Sequence, residues 1–144
     1  MNKKISIIGV GKLGQDCAEV MMDAGNDVVG YDIEYRNPAF PMLPTIAEAV
    51  RDRDLIFIAV PTPHDKSYGG ENPTAHLEPK DFNYSIVVDI LKELNNHCKK
   101  DQLVVLISTV LPGTVRREFI QHTTNYRFIY NPFLIAMGSV NWDM

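Results

Sequence analysis

The chain has 144 residues, enough for one domain with a hydrophobic core, and its 45% hydrophobic content is ordinary for a globular protein. No apolar run reaches the roughly 18 residues that a membrane-spanning helix needs, and a net charge of −4 with both signs interspersed argues against a nucleic-acid-binding surface. The basic start at residues 1–4 leads into an apolar run too short for a secretory signal. We therefore expect a cytoplasmic protein with no nucleic-acid or membrane partner.

The N-terminal segment predicts a strand, a glycine-rich turn, a helix and a second strand. An apolar run over 4–9 enters Gly9-Val10-Gly11-Lys12-Leu13-Gly14, the glycine turn. A helix is predicted over 12–24, and the second strand, over 27–32, ends at Asp32. A lone G-x-G-x-x-G is a weak signal, but strand, turn, helix, strand and acid in this order are the context of a dinucleotide-binding fingerprint.

Each part of this fingerprint has a predicted role. Gly9 permits the tight turn, Gly11 lets the backbone approach a pyrophosphate, and Gly14 lets the helix pack closely on the sheet. The N-terminus of the helix offers N–H groups and partial positive charge to phosphates, and Asp32 can accept hydrogen bonds from a ribose diol, which favours NAD over NADP. The alternative is a doubly wound domain that keeps the turn and binds nothing. The predicted cofactor-binding residues here are Gly9, Gly11, Lys12, Leu13, Gly14, Asp32 and Ile33.

The rest of the chain alternates strands and helices, as in a parallel sheet covered by helices on both faces. We predict a Rossmann-like, doubly wound α/β fold. The predicted strands are 4–9, 27–32, 54–60, 102–108 and 126–130, and the predicted helices are 12–24, 46–51, 81–95 and one ending near Gln121.

Two connections are predicted to be irregular. Residues 37–44 are proline-rich and lead to Thr45, an N-cap candidate with Glu48 completing a capping box. Residues 61–79 form a long loop rich in glycine and proline, which is more often functional or mobile than idle. We expect this loop to be the least ordered internal segment in the absence of a partner.

Cysteine and histidine residues predict neither a nucleophile nor a metal site. Cys17 and Cys98 are far apart in the sequence, and Cys17 lies among apolar residues of the first helix, typical of a small core residue. Without a secretion signal, two cysteines more often stay reduced. The four histidines show no ligand spacing, so no metal is expected.

Two turns follow the third and fourth predicted strands. We call Val60-Pro61-Thr62-Pro63 the proline turn and residues 108–114, Ser-Thr-Val-Leu-Pro-Gly-Thr, the threonine turn. Ligands of doubly wound sheets lie at the carboxyl ends of the strands, so both turns are expected to face the cofactor groove, with Thr62 near ribose or phosphate and Thr109 near the nicotinamide. Ordinary turn capping is the alternative for both threonines. The predicted cofactor-binding residues of these turns are Val60, Pro61, Thr62, Ser108 and Thr109.

Together, these segments resemble the N-terminal domain of the UDP-glucose/GDP-mannose dehydrogenase family. The glycine, proline and threonine turns and the segment Asn131-Pro132-Phe133-Leu134, leading to Gly138-Ser139, occur in the family's order and at roughly its spacing. The resemblance covers the whole chain and implies an NAD-binding Rossmann domain at 1–144, without the family's central and UDP-binding C-terminal domains. It implies oxidation of the C6 alcohol of a nucleotide sugar to a carboxylate with NAD, and it gives Thr109 a catalytic role in positioning water and substrate.

The chain departs from the family pattern where substrate chemistry is concerned. The family reads Asn-Pro-Glu-Phe-Leu-Arg-Glu-Gly at the fourth segment, so Phe133 and Met137 stand where two glutamates bind substrate and assist the reaction. The family's cysteine nucleophile, lysine and asparagine come from a later domain, and neither cysteine of this chain matches. We therefore expect the chain alone to bind NAD(H) without turnover, and to meet a nucleotide-sugar substrate only if a further domain is present.

Two other functions are left open. One is a stand-alone NAD(H)-binding module or assembly partner without catalytic activity. The other is the N-terminal domain of a 3-hydroxyacid-type dehydrogenase, against which the proline turn argues. The sequence leaves the oligomeric state open, and a homo-oligomer is compatible with it.

Overall fold

Five parallel strands form the sheet in the computed structural model, which describes residues 2–133. Across the sheet their order is β2-β1-β3-β4-β5. This arrangement confirms the predicted doubly wound α/β fold, and each predicted strand is present but shorter at one or both ends. The strands are β1 (Lys4–Ile8), β2 (Asp27–Tyr31), β3 (Leu55–Ile58), β4 (Leu103–Leu106) and β5 (Arg127–Tyr130).

The helices connect these strands. Both α1 and α2 match their predictions to within one residue, and the last helical segment ends one residue beyond the predicted Gln121. Within residues 2–133, no helix is long and apolar enough to cross a membrane. The helices are α1 (Lys12–Asp23), α2 (Ile46–Val50), α3 (Ser85–His97) and a π-helical segment (Val115–Phe119) that continues as a 3-10 turn (Ile120–His122); we call the last two together the 115–122 helix.

The start of α3 was predicted wrongly, because it begins at Ser85 and not at Asp81. The Asp81 carboxylate accepts a hydrogen bond from the backbone N–H of Phe82 (2.8 Å), and the Asn83 side chain accepts one from the N–H of Ser85 (3.0 Å). Such local bonds from side chain to backbone compete with helix formation, and they hold residues 81–84 as a separate segment before the helix.

The core lies on both faces of the sheet, because residues alternate along each strand. On one face, β3 and β4 pack against α2, α3 and the 115–122 helix through residues that include Ile56, Ile58, Val87, Leu91, Val104, Leu106 and Phe119. On the other face, α1 packs through Cys17 and Ala18 against residues that include Ile5, Ile7, Val105 and Ile107. Two-sided burial explains the nearly continuous apolar strands in the sequence.

The proline-rich connection 37–44 is irregular as predicted, but it also pairs with the outer edge of β2. Gly30 donates its N–H to Pro41 O (2.9 Å) and accepts from the N–H of Leu43 (2.8 Å), which forms a one-residue parallel bridge to Met42. A side chain at Gly30 would place its Cβ 2.7 Å from Met42 Sδ. Glycine inside a strand therefore marks a close approach of another segment here.

Candidate cofactor-binding site

The glycine turn has the geometry that its sequence predicts. Gly9 has φ +93°, and a Cβ there would lie 2.5 Å from Ala59 O. A Cβ on Gly14 would lie 1.9 Å from Gly9 O, so the start of α1 rests directly on the turn. Gly11 differs from both, because a Cβ there would have no heavy atom within 4 Å. The space above Gly11 suits an approaching ligand group, as its predicted role requires.

The first turn of α1 faces this open space. Gly11 is the N-cap residue and has no side chain to satisfy the N–H groups that begin the helix at Lys12 and Leu13. These N–H groups and the helix dipole form a site suited to an anion. The geometry fits the phosphates of a dinucleotide.

Asp32 lies directly beyond β2 and supports the glycine turn. Its Oδ2 accepts the N–H of Val10 (2.7 Å), its Oδ1 accepts the N–H of Glu34 (2.8 Å), and only 10% of its side chain is exposed. Each carboxylate oxygen can accept a further hydrogen bond, so the group can hold the turn and still receive ribose hydroxyls.

Arg36 is held by two carboxylates of the same segment. Its Nη2 donates to Glu34 Oε2 (2.8 Å), and its Nε lies 3.6 Å from Asp32 Oδ2. The two neighbouring apolar side chains, Ile33 and Tyr35, are 92% and 90% exposed. Ile33 was predicted as a site residue, whereas Tyr35 was not; each is an exposed apolar side chain close in sequence to Asp32, of the kind that can pack against a flat base.

The proline and threonine turns lie side by side and are joined by side-chain hydrogen bonds. The N–H of Val60 donates to Ser108 Oγ (3.0 Å), and the Thr62 hydroxyl donates to Thr109 O (2.6 Å). The Thr62 proton is therefore used between the two turns, and the oxygen keeps its capacity to accept. The Thr109 side chain is exposed at the carboxyl edge of the sheet.

A third segment, residues 81–84, touches both turns and was not predicted as part of the site. The N–H of Asn83 donates to Pro63 O (2.8 Å), and the Tyr84 hydroxyl accepts from the N–H of Leu111 (3.1 Å). The pattern Asp-x-Asn before an apolar helix is typical of side chains that fold back onto the backbone. That pattern was the available signal for a segment with a defined shape.

The two cysteines are buried and are not nucleophiles. Burial raises the pKa of the Cys17 thiol and of the Cys98 thiol to about 12 in each case. Both thiols are protonated at neutral pH, and the thiolate is the reactive form. This agrees with the prediction that Cys17 is a core residue.

The fourth family-like segment is described only as far as Phe133. That side chain is partly buried against the cluster of Cys17, Val105 and Ile107. An apolar contact therefore stands where the resemblance places a substrate-binding glutamate. Met137, Gly138 and Ser139 lie outside the described residues.

Comparison with known proteins places the chain in a family. Residues 40–144 match the family model "UDP-glucose/GDP-mannose dehydrogenase family, NAD binding domain". The GDP-mannose 6-dehydrogenases of Pseudomonas syringae pv. tomato and Pseudomonas savastanoi pv. phaseolicola are 30% and 31% identical over 145 and 143 residues, in both cases 81% of this chain and 31% of the relative. The chain therefore spans about a third of the length of the curated relatives it matches.

Solved structures show the same fold. GDP-mannose dehydrogenase from Pseudomonas aeruginosa, in a ternary complex, aligns with a TM-score of 0.77 at 22% identity over 97% of this chain and 38% of that one. UDP-glucose dehydrogenase from Pyrobaculum islandicum aligns with a TM-score of 0.70 at 23% identity over 99% and 38%. A 3-hydroxyisobutyrate dehydrogenase from Mycobacterium tuberculosis also aligns, with a TM-score of 0.67 at 17% identity over 92% and 40%.

Several dehydrogenase families thus share this architecture, and the match to one family model decides to which of them the chain belongs. It covers more than half of the chain and includes the proline and threonine turns. This chain belongs to the UDP-glucose/GDP-mannose dehydrogenase family and is an NAD-binding domain of that family.

Proposed function

We propose that this domain serves an NAD-dependent 6-dehydrogenase of a nucleoside-diphosphate sugar. The observation that carries the proposal is the set of features at the carboxyl edge of the sheet: an open glycine turn, a strand-end carboxylate bonded to it, and two turns joined by hydrogen bonds. The curated relatives are named GDP-mannose 6-dehydrogenases, which supports a nucleotide sugar as substrate class. We further propose that the enzyme is cytoplasmic and supplies polysaccharide biosynthesis, and that residues 1–144 belong to its NAD-binding domain.

In this proposal the adenosine half of NAD lies at the end of β2. Asp32 accepts hydrogen bonds from the ribose hydroxyls, and Ile33 packs against the base. The pyrophosphate lies over Gly11, where the N–H groups of Lys12 and Leu13 bind it. Gly9 and Gly14 contribute by allowing the turn and the helix to meet without side chains.

The nicotinamide half then extends in the opposite direction from β1, over β3 and β4, because the strand order places these on the other side of β1. Val60, Pro61, Thr62, Ser108 and Thr109 form that part of the groove. When bound, NAD accepts hydride from the substrate. The residues of the chain orient the cofactor, and the exposed Thr109 hydroxyl helps position water and substrate.

A second candidate, a binding module without catalysis, is favoured by one observation. Phe133 packs into an apolar cluster at a position where the resemblance calls for a carboxylate. A chain with this replacement keeps the cofactor groove and has no acidic group at that position for the substrate. Both candidates predict that the 144-residue chain binds NAD(H) and that it does not oxidise a nucleotide sugar by itself.

The test is a titration of the purified chain with NADH, followed by fluorescence and by calorimetry, together with an assay of NAD reduction on UDP-glucose and GDP-mannose. We expect saturable NADH binding, a melting temperature that rises with NADH concentration, and no turnover. Absence of NADH binding would overturn both candidates. Turnover by the chain alone would overturn the prediction of inactivity and rule out the non-catalytic module.

A further inference from the structure

Residues 81–84 connect the two turns that form the nicotinamide half of the groove. The N–H of Asn83 donates to Pro63 O (2.8 Å) in the proline turn, and the N–H of Leu111 in the threonine turn donates to the Tyr84 hydroxyl (3.1 Å). The direct bond from Thr62 to Thr109 O (2.6 Å) closes the arrangement. Three segments far apart in the sequence therefore hold one another in place.

The Tyr84 hydroxyl makes three of the hydrogen bonds that hold this arrangement together. It donates to Asp81 Oδ1 (2.5 Å) and accepts from the N–H of Leu111 and from Thr114 Oγ1 (3.3 Å), so its direction is fully determined. Asp81 is itself held by Arg117 Nη2 (2.5 Å). With its proton directed to Asp81, the phenol oxygen uses its lone pairs to accept both hydrogen bonds from the threonine turn.

The surroundings keep Tyr84 in that state. The residue is 7% exposed, and its ring packs edge-on against Phe119, with centroids 5.6 Å apart. Burial, together with the hydrogen bond to Asp81, raises the pKa of the Tyr84 hydroxyl. The group therefore stays protonated across the neutral range, and the threonine turn is held against a rigid, buried ring.

We infer that Tyr84 is a positioning residue for the nicotinamide half of NAD, acting through the threonine turn without touching the cofactor. This inference rests on the proposed function. The Tyr84 hydroxyl fixes the backbone at Leu111, which sets the position of Thr109. Through the bond between Thr62 and Thr109 it also sets the proline turn. None of the hydrogen bonds of residues 81–84 reaches the glycine turn or Asp32 within the described residues.

The consequence is a selective effect on one half of the cofactor. Tyr84→Phe keeps the ring but leaves the N–H of Leu111 and the hydroxyl of Thr114 without their acceptor, and such unpaired groups shift the turn that carries them. We expect affinity for NADH to fall about tenfold. Affinity for ADP, which occupies only the adenosine and pyrophosphate part of the groove, should stay within about twofold of the wild type.

Tyr126→Phe is the matched control. Tyr126 is also a buried tyrosine (6% exposed) of the same core cluster, and its hydroxyl donates to Leu91 O (3.1 Å) and lies 3.3 Å from His122 O. It contacts neither turn through these bonds. Both variants lose a buried, hydrogen-bonded hydroxyl, so a purely structural role predicts similar falls in melting temperature and the same NADH-to-ADP affinity ratio for both.

The experiment measures NADH and ADP affinities by calorimetry for the wild type, Tyr84→Phe and Tyr126→Phe, together with their melting temperatures. The inference holds if the ratio of NADH affinity to ADP affinity falls in Tyr84→Phe but not in Tyr126→Phe. It is overturned if the ratio is unchanged in Tyr84→Phe, or if both variants change alike. If the wild type binds NADH no better than an unrelated protein does, the proposed function fails instead.

A second variant covers the case in which Tyr84→Phe does not fold. Thr114→Val removes one of the two donors to the Tyr84 hydroxyl and keeps the ring, the bond to Leu111 and nearly the same side-chain volume. We expect the same selective fall in NADH affinity at about twofold to threefold. An unchanged NADH-to-ADP ratio in this variant would also overturn the inference.

Discussion

The two halves of the proposed cofactor groove are built in different ways. The adenosine half comes from one continuous stretch, residues 9–36, and its shape is set by Gly9 and Gly14, which admit no side chain, and by a strand-end carboxylate. The nicotinamide half is assembled from residues 60–63, 81–84 and 108–114, joined by hydrogen bonds that span 20 to 48 positions in the sequence. The first half should therefore fail abruptly on substitution, and the second should weaken in steps.

The largest effect is expected at Gly14. A methyl group there would lie 1.9 Å from Gly9 O, so Gly14→Ala must separate α1 from the turn and should lower the free energy of unfolding by about 3 kcal/mol or more. Gly11→Ala is the matched control, because the added methyl group meets no atom within 4 Å. It should cost less than about 1 kcal/mol of stability, yet weaken NADH binding. Urea denaturation and NADH titration of both variants measure this, and equal losses of stability would contradict the packing account.

Asp32 tests how the adenosine half selects its cofactor. A fixed carboxylate repels a 2′-phosphate, so NAD should bind at least about tenfold more tightly than NADP. Asp32→Ala should weaken NAD binding and narrow that gap, because it removes the repelling carboxylate and leaves Arg36 paired with Glu34 alone. Because the variant also leaves the N–H of Val10 without its acceptor, the NAD-to-NADP ratio is the informative quantity.

Asp27→Ala is the control for that experiment. Asp27 begins the same strand, β2, and pairs with Arg53 (2.8 Å) at the opposite edge of the sheet. The Asp27→Ala variant loses the same charge at a site away from the proposed groove, so its ratio of NAD affinity to NADP affinity should equal that of the wild type. Equal affinities for NAD and NADP in the wild type would mean that Asp32 does not read the ribose.

A smaller effect is expected at Thr62, in the hydrogen-bonded half. Thr62→Val removes the bond to Thr109 O and should cost about 1 kcal/mol of stability, with a severalfold loss of NADH affinity. Thr45→Val offers a comparison, since it removes the N-cap of α2, where Thr45 Oγ1 accepts the N–H of Glu48 (3.2 Å), at a similar cost. Thermal unfolding and NADH titration decide between the roles. Equal NADH affinities in the two variants would show that the bond only supports the fold.

The smallest effect concerns the loop 61–79. Two contacts bridge its ends: Lys80 Nζ lies 2.5 Å from Asp65 Oδ2, and the Tyr68 hydroxyl donates to Glu78 O (2.5 Å). Hydrogen bonds from Lys80 and Ser67 hold the pKa of Asp65 well below its usual range. The ion pair therefore persists at neutral pH, and its contribution to stability begins to be lost only as the pH falls below about 4, the pKa of aspartate in the unfolded chain.

Apart from these surface contacts the loop buries little, so its amides should exchange faster than those of β3 at pH 7, and faster still in acid relative to the intrinsic rate. Hydrogen exchange read by mass spectrometry measures both. Protection equal to that of β3 would show that the loop is packed.

The sequence predicted the elements whose geometry depends on neighbouring residues, and it did not predict side-chain hydrogen bonds, above all those between distant segments. The glycine turn and the five strands were readable because glycine spacing and apolar runs determine their own geometry. The start of α3 was missed because Asp81 and Asn83 bind nearby backbone, which apolar periodicity does not reveal. The partner of Thr62 was missed for a different reason: no spacing in the sequence indicates that its hydroxyl reaches Thr109, 47 positions away.

The bridge between Gly30 and Met42 makes the two edges of the sheet unequal as places where another strand could pair. Near the carboxyl end of β2, the outward N–H and C=O of Gly30 are already bonded to Pro41 and Leu43, and Pro41 has no N–H to donate to an added strand. Within residues 2–133, β5 pairs only with β4, and its Ile129 is 46% exposed. Among these residues, a strand added beside β2 would meet a position already paired at Gly30, whereas β5 has no partner on its outer side, so the two edges of the sheet differ in how they can be extended.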